Sequence, residues 1–308
     1  MYDPGLVRDY LLGVKPLPNM TAAQMPMLSS VTPGREHYCP VLAEHLDKVW
    51  PGHPTMYFAL PIGRTAAYDK VIQTGATTFT ETILRGLEEL KKKLRVHHVF
   101  VLLEDHVPLW PCDGNKIQQI VTVIEQEDLK CVVFPKYDWP WNSTNYRLDE
   151  TGRVIGWRMI DIATFGSHRM ARVPKDFFRY NQCQPAIWSI NYYIEVLAEA
   201  VRRGIHNPWE FESYVMPNQP QHYVSEYKWP SWSNGYLARG KLDWRAVRLM
   251  KMPEARGLRS QLLKEHFPNM RISPELLFVI GECLYHSQRL KTVPGRLVRR
   301  LSKTLLVG

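Results

Sequence analysis

The sequence predicts an α/β protein built on a mostly parallel sheet with helices on both faces. Three observations carry this. Short apolar runs alternate with segments of helical periodicity between residues 25 and 135. One run, His98–Leu103, is apolar and β-branched, as a strand covered on both faces must be. Hydrophobic residues make up 45% of the 308 and charged residues 22%, a balance that supplies a buried core and excludes disorder as the main state.

Met25–Val31 is the first expected strand. Cys39–Trp50 follows as a helix with Leu42, Leu46 and Val49 on one face, and Met56–Ile62 is the second strand. Thr80–Leu94 has the clearest helical stripe, Ile83, Leu84, Leu87 and Leu90. Lys91, Lys92 and Lys93 stand near its C-terminus, where the helix dipole favours cations. After the His98–Leu103 strand come an amphipathic helix at Lys116–Glu127 and a buried strand at Lys130–Pro135. Strands and helices in this order form βαβ units. Residues 136–187 are rich in aromatics and turns, with a candidate strand at Trp157–Ile160. Ser189–Arg203 is a helix with Ile190, Ile194, Leu197 and Val201 in phase. A Pro- and Trp-rich stretch runs from Asn207 to Trp232, Phe267–Pro274 is a linker, and Pro274–His286 is a late helix.

The net charge is +9, and +7 of it lies between Lys251 and the end, where eleven Lys and Arg face four Glu. Residues 287–308 hold no acid, and Leu297, Leu301, Leu305 and Leu306 fall at helical spacing. This tail reads as a basic amphipathic helix suited to an anionic surface, either membrane or nucleic acid. The five cysteines have no metal-ligand spacing and are odd in number, which suits a reduced, cytoplasmic protein. No apolar run reaches the roughly 20 residues that a membrane-crossing helix needs.

Four segments could carry chemistry. Glu104-Asp105-His106 ends a central strand, where α/β sheets bind ligands. A carboxylate there can hold a divalent cation, although acids also cap ordinary strand ends. The loop from Ser29 to Arg35, with Thr32 and Arg35, suits a nucleotide but lacks the glycines and lysine of a Walker loop. Trp209-Glu210-Phe211-Glu212 places two acids around an aromatic ring, as a general base requires. Asn207 and Pro208 also make it an ordinary capped helix start. The aromatics at 137–146 and 223–236 could stack on sugars or bases, but such clusters are more often core.

Taken together, several of these segments resemble the GT-A fold nucleotide-sugar glycosyltransferases, in particular members of the bacterial and viral polysaccharide type. The segments are Val49–Pro54, Phe79–Leu87, Val101–His106, Gln184–Trp188 and Asn207–Glu212, and the likeness spans roughly residues 25–245. The resemblance implies a GT-A domain over 1–245, with a nucleotide-sugar half at about 22–137 and an acceptor half at 138–245. A basic helical extension would occupy 246–308. It implies transfer of a sugar from a nucleoside diphosphate donor, UDP-sugar favoured, to a hydroxyl of a glycan or lipid-linked glycan. Inversion is favoured, with Glu212 as first choice for the base and Glu210 second. Thr32, Arg35, Glu104 and Asp105 would meet the donor, and Trp188 and Trp209 the acceptor. Asp105 and His106 would meet Mn²⁺ or Mg²⁺. His106 stands where the family has an acid, so His106, Asp105 or the basic surroundings could serve the diphosphate. The tail would place the chain at the inner membrane face. One alternative is a transferase acting on hydroxylated bases of phage DNA, and another is a non-catalytic nucleic-acid-binding protein.

Overall fold

Seven of the nine strands in the main sheet run the same way, in a computed structural model that describes residues 25–106, 108–135, 161–175, 177, 180–230, 237–238, 241–242, 255–266, 273–274 and 276–279. The strands are β1 (Met27–Ser30), β2 (Met56–Leu60), β3 (Val71–Gln73), β4 (His98–Val101), β5 (Cys131–Val133), β6 (Ile162–Phe165), β7 (His168–Arg172), β8 (Ala186–Ser189) and β9 (Tyr223–Ser225). Their order across the sheet is β3-β2-β1-β4-β8-β5-β9-β7-β6. The mostly parallel α/β class read from the sequence is therefore the one observed. Strands β8 and β7 run against the rest. β8 lies between β4 and β5, pairing Val101 with Ala186 on one side and Val133 with Ala186 on the other.

The helices form where the periodicity places them. They are α1 (Cys39–Val49), α2 (Phe79–Leu94), α3 (Gly114–Gln126), α4 (Ile190–Arg202) and α5 (Pro208–Ser213). Thr78 caps α2 by accepting from the Glu81 N–H at 3.3 Å, and the Thr78 hydroxyl donates to the Glu81 carboxylate at 3.3 Å. The Thr78 cap satisfies one of the N–H groups that the first turn leaves without helical partners. Ile83, Leu87 and Leu90 are buried on its sheet-facing stripe. Gly86 lets the helix lie close on the sheet: a Cβ there would stand 3.0 Å from the Ala59 Cβ. Asp113 caps α3 through the Lys116 N–H at 3.0 Å, and Ile117, Ile120, Val121 and Ile124 face inward.

Two aromatic groups fill the core. Trp50, Phe100, Phe134 and Trp229 pack together, with Trp50–Trp229 centroids 5.7 Å apart and Phe100–Phe134 5.4 Å apart. Trp188 stacks on Tyr193 at 4.1 Å. Of the aromatics at 223–236 that could have stacked on a sugar, Trp229 is core, 1% exposed.

The chain divides into two compact units, Met1–Gly235 and Tyr236–Gly308. In the second, β10 (Leu237–Ala238) pairs antiparallel with β11 (Lys241–Leu242), and α6 spans Arg256–His266. The Arg259 guanidinium lies over the Phe278 ring at 4.2 Å. Within the expected late helix, 274 and 276–279 are helical. The candidate strand at 157–160, the aromatics at 137–146 and the tail at 287–308 lie outside the described residues. Among the described residues no helix is long and apolar enough to cross a membrane.

Candidate functional site

The order β3-β2-β1-β4 reverses between β1 and β4, because the chain leaves β3 by α2 and returns on the far side of β1. At such a point the two following loops part and open a crevice beyond the carboxyl ends of the strands, the usual ligand position in these sheets. Thr32 and Arg35 follow β1, and Glu104 follows β4. The two loops meet there: Arg35 Nη1 donates to Glu104 Oε1 at 2.8 Å. The Glu104 side chain is 5% exposed and that of Arg35 19%. Glu104 is thus a buried partner of a guanidinium.

Around this pair the loops are polar. Gly34 turns with φ +89° and donates its N–H to Glu36 Oε1 at 3.0 Å. Arg64, from the loop after β2, lies 3.4 Å from the same Glu36 oxygen. Thr32 is exposed, and its carbonyl accepts from the Arg35 N–H at 3.0 Å. Arg35 and Arg64 face Glu104 and Glu36, so these four groups sum to no net charge. The basic surroundings that sequence offered in place of a metal are, for these groups, already neutralised.

Asp105 and His106 continue from Glu104 in a short 3-10 turn. The His106 ring is buried and its carbonyl accepts from Trp229 Nε1–H at 2.7 Å, which fixes this turn to the core. Among the described residues no three His, Cys, Asp or Glu side chains gather as a protein-only metal cage requires. A cation shared with substrate phosphates needs only one or two protein carboxylates. Glu104 is engaged by Arg35.

A second polar group lies along the same edge. β8 runs against β4 and begins where β4 ends, so the segment Asn181–Gln184 before it stands at the carboxyl edge. Glu212, on α5, reaches this segment: its Oε1 accepts from the Cys183 N–H at 3.2 Å, and its backbone carbonyl from the Asn181 N–H at 3.3 Å. Glu210 is placed differently. It is exposed, its N–H goes to the Asn207 side chain at 2.9 Å, and its Oε2 accepts from the His206 N–H at 3.4 Å. Glu210 closes the helix start, while Glu212 faces the edge. Trp209 is 71% exposed on the same helix. Trp188, expected to meet the acceptor, is 1% exposed and stacked on Tyr193. This is a correction: β8 is sealed between β4 and β5, and its indole packs with α4.

The segment is held from beneath by a neutral network that the sequence did not reveal. Asn181 Nδ2 donates to the Tyr214 carbonyl at 2.6 Å, and Gln219 Nε2 to Asn181 Oδ1 at 2.5 Å. His222 Nδ1 is 3.2 Å from the Tyr180 carbonyl, which can only accept, so that nitrogen carries the proton. Nε2 then accepts from the Tyr192 hydroxyl at 2.8 Å. Full burial pulls the His222 pKa down to about 3, so the ring is neutral. Asn, Gln and His at 181, 219 and 222 lack any local motif, and only the fold brings them together.

No family model matches the chain, and no curated protein matches it in sequence. Among solved structures, it is similar to a 2-C-methyl-D-erythritol 4-phosphate cytidylyltransferase from Thermus thermophilus. The TM-score is 0.35 and the identity 15%, over 61% of this chain and 81% of that one.

Proposed function

We propose that this chain is a glycosyltransferase that moves a sugar from a nucleoside diphosphate donor, UDP-sugar favoured, to a hydroxyl of a glycan acceptor. The observation that carries the reading is the placement of two chemically different groups on one carboxyl edge. The Arg35–Glu104 pair stands at the switch-point crevice, and Glu212, on α5, meets the segment that enters β8 through the Cys183 N–H. A nucleotide at the crevice directs its diphosphate toward Arg35 and Arg64. Since each guanidinium already faces a carboxylate, an incoming diphosphate exchanges for Glu104 and Glu36 or brings a cation with it. Asp105 and His106 would meet that Mn²⁺ or Mg²⁺, which when bound neutralises the leaving phosphates.

Glu212 acts as the base. It takes the proton of an acceptor hydroxyl, whose oxygen forms a bond to the anomeric carbon as the bond from that carbon to the diphosphate breaks. The nucleoside diphosphate leaves with the electron pair, and a single displacement inverts the anomeric centre. The exposed Trp209 beside this carboxylate offers a face on which an acceptor sugar can stack.

The test is a panel of nucleotide sugars, with and without Mn²⁺, read by thermal shift and by released nucleoside diphosphate. One donor should raise the melting temperature, because a ligand that binds only the native state stabilises it, and should turn over slowly. Silence across the panel overturns the reading.

A further inference from the structure

The segment before β8 carries two amides, Gln182 buried and Gln184 half-buried, that satisfy each other only in part. Gln184 Nε2 donates to Gln182 Oε1 at 2.9 Å. Gln182 Nε2 and Gln184 Oε1, both buried atoms, have no hydrogen-bond partner among the described residues. Gln182 is 3% exposed. Leaving a buried amide donor or acceptor unmade costs about 1–3 kcal/mol each, so a fold tolerates two such atoms side by side only with a compensating reason. Both residues line a small recess whose other walls include Phe79, Leu103, Trp188 and Tyr193.

We infer that this recess binds a hydroxyl group of the transferred sugar, with Gln182 donating to it and Gln184 accepting from it. The inference rests on the glycosyltransferase reading and deepens it. Three features point this way. A hydroxyl both accepts and donates, so a single one can answer an amide N–H and an amide carbonyl together. The recess is of the size of a single hydroxyl or water, not of a whole ring, and its apolar and aromatic walls suit the carbon that bears the hydroxyl. Its position is consistent with this. The recess is lined by Leu103, the residue before Glu104, and by Cys183, whose N–H donates to Glu212. Gln182 and Gln184 are specificity residues in this account, and neither takes part in bond making.

The experiment compares equilibrium binding of UDP, UDP-glucose, UDP-galactose and the singly deoxygenated UDP-hexoses to the full chain. One deoxy position should bind roughly a hundredfold more weakly than its parent, because removing the hydroxyl strands both amides. The Gln182→Met, Gln184→Met double variant should keep its affinity for UDP but lose the added affinity of the hexosyl group. Its melting temperature should stay level or rise, since the buried atoms without partners are gone. If every deoxy analogue binds within about threefold of its parent, the inference fails while the transferase reading stands. It also fails if the double variant keeps the hexosyl increment, which would mean that the recess holds only a structural water. If the wild-type chain binds none of these nucleotides, the underlying reading falls and takes the inference with it.

Discussion

The carboxyl edge of the sheet holds two polar clusters built on opposite plans. At the β1–β4 crevice the groups are charged, partly open, and drawn from three separate loops. Beneath the Asn181–Gln184 segment they are neutral, sealed, and joined to one another. The Arg35–Glu104 contact gains Coulomb energy and gives up hydration, and such pairs are often close to neutral in stability. The His222 network gives up little hydration that it does not recover, because its ring and amides find partners at 2.5–3.2 Å. The difference separates roles. A charged pair at an opening can exchange its partner for a ligand, whereas a closed neutral network fixes the geometry of what lies above it.

The largest test of this division is Glu212→Gln. The amide retains an oxygen for the Cys183 N–H but cannot take a proton. Transfer should fall about a thousandfold with melting temperature and donor affinity nearly unchanged, measured by initial rates and thermal shift. A rate that stays within tenfold would remove Glu212 from the chemistry. His222→Ala attacks the neutral cluster instead. It removes the stacking on Tyr180 at 4.3 Å and strands the Tyr192 hydroxyl, so urea unfolding should show a loss of about 3 kcal/mol. A loss below about 1 kcal/mol would mean that the network is not a scaffold.

Arg35→Met comes next. It takes the guanidinium from a carboxylate that is 5% exposed, at a cost of about 2 kcal/mol, and weakens UDP binding. Adding Glu104→Gln should restore most of the stability but not the binding, and recovery of both would place the nucleotide elsewhere. The last test concerns pH. In the unfolded chain His222 takes up a proton near its ordinary value of 6.5, and in the folded chain only near 3. Between those values the unfolded state binds more protons. The stability contributed by the buried neutral ring is therefore complete above pH 6.5 and is lost progressively as pH falls toward 3. The slope is at most about 1.4 kcal/mol per pH unit. His222→Ala should flatten this part of the profile, and an unchanged slope would assign the acid sensitivity to other groups.

Long elements with a full helical or buried-strand period were legible in the sequence. The stripe in α2, the Asn207 cap on α5 and the apolar run ending at Glu104 all stand where the pattern puts them. Strands of three to five residues were not. Val71–Gln73 is too short to show a period, and the β6–β7 hairpin pairs residues that carry no strand pattern. Ala186–Ser189 reads locally as part of a motif rather than as a strand, because its pairing with β4 and β5 depends on residues far away in sequence. The same limit hid the partner of Glu104. Arg35 was visible as a candidate on its own, but its contact spans 69 positions. Gln182 and Gln184 gave no signal, since an amide missing its partners is defined by three-dimensional neighbours alone.

The reversed strand β8 also has a consequence for how the protein is made. β4 and β5 do not pair with each other, and each is joined to β8 alone across that gap. A ribosome finishes β1 through β5 well before it reaches Ala186. During that interval the newly made chain carries an open edge on β4, with backbone groups ready to pair with any extended segment nearby. Domains emerge at roughly 5–20 residues per second, so the exposure lasts for seconds in every round of translation. A stalled or truncated product that stops short of Ala186 would keep that edge for good, and would be the form of this protein most prone to self-association.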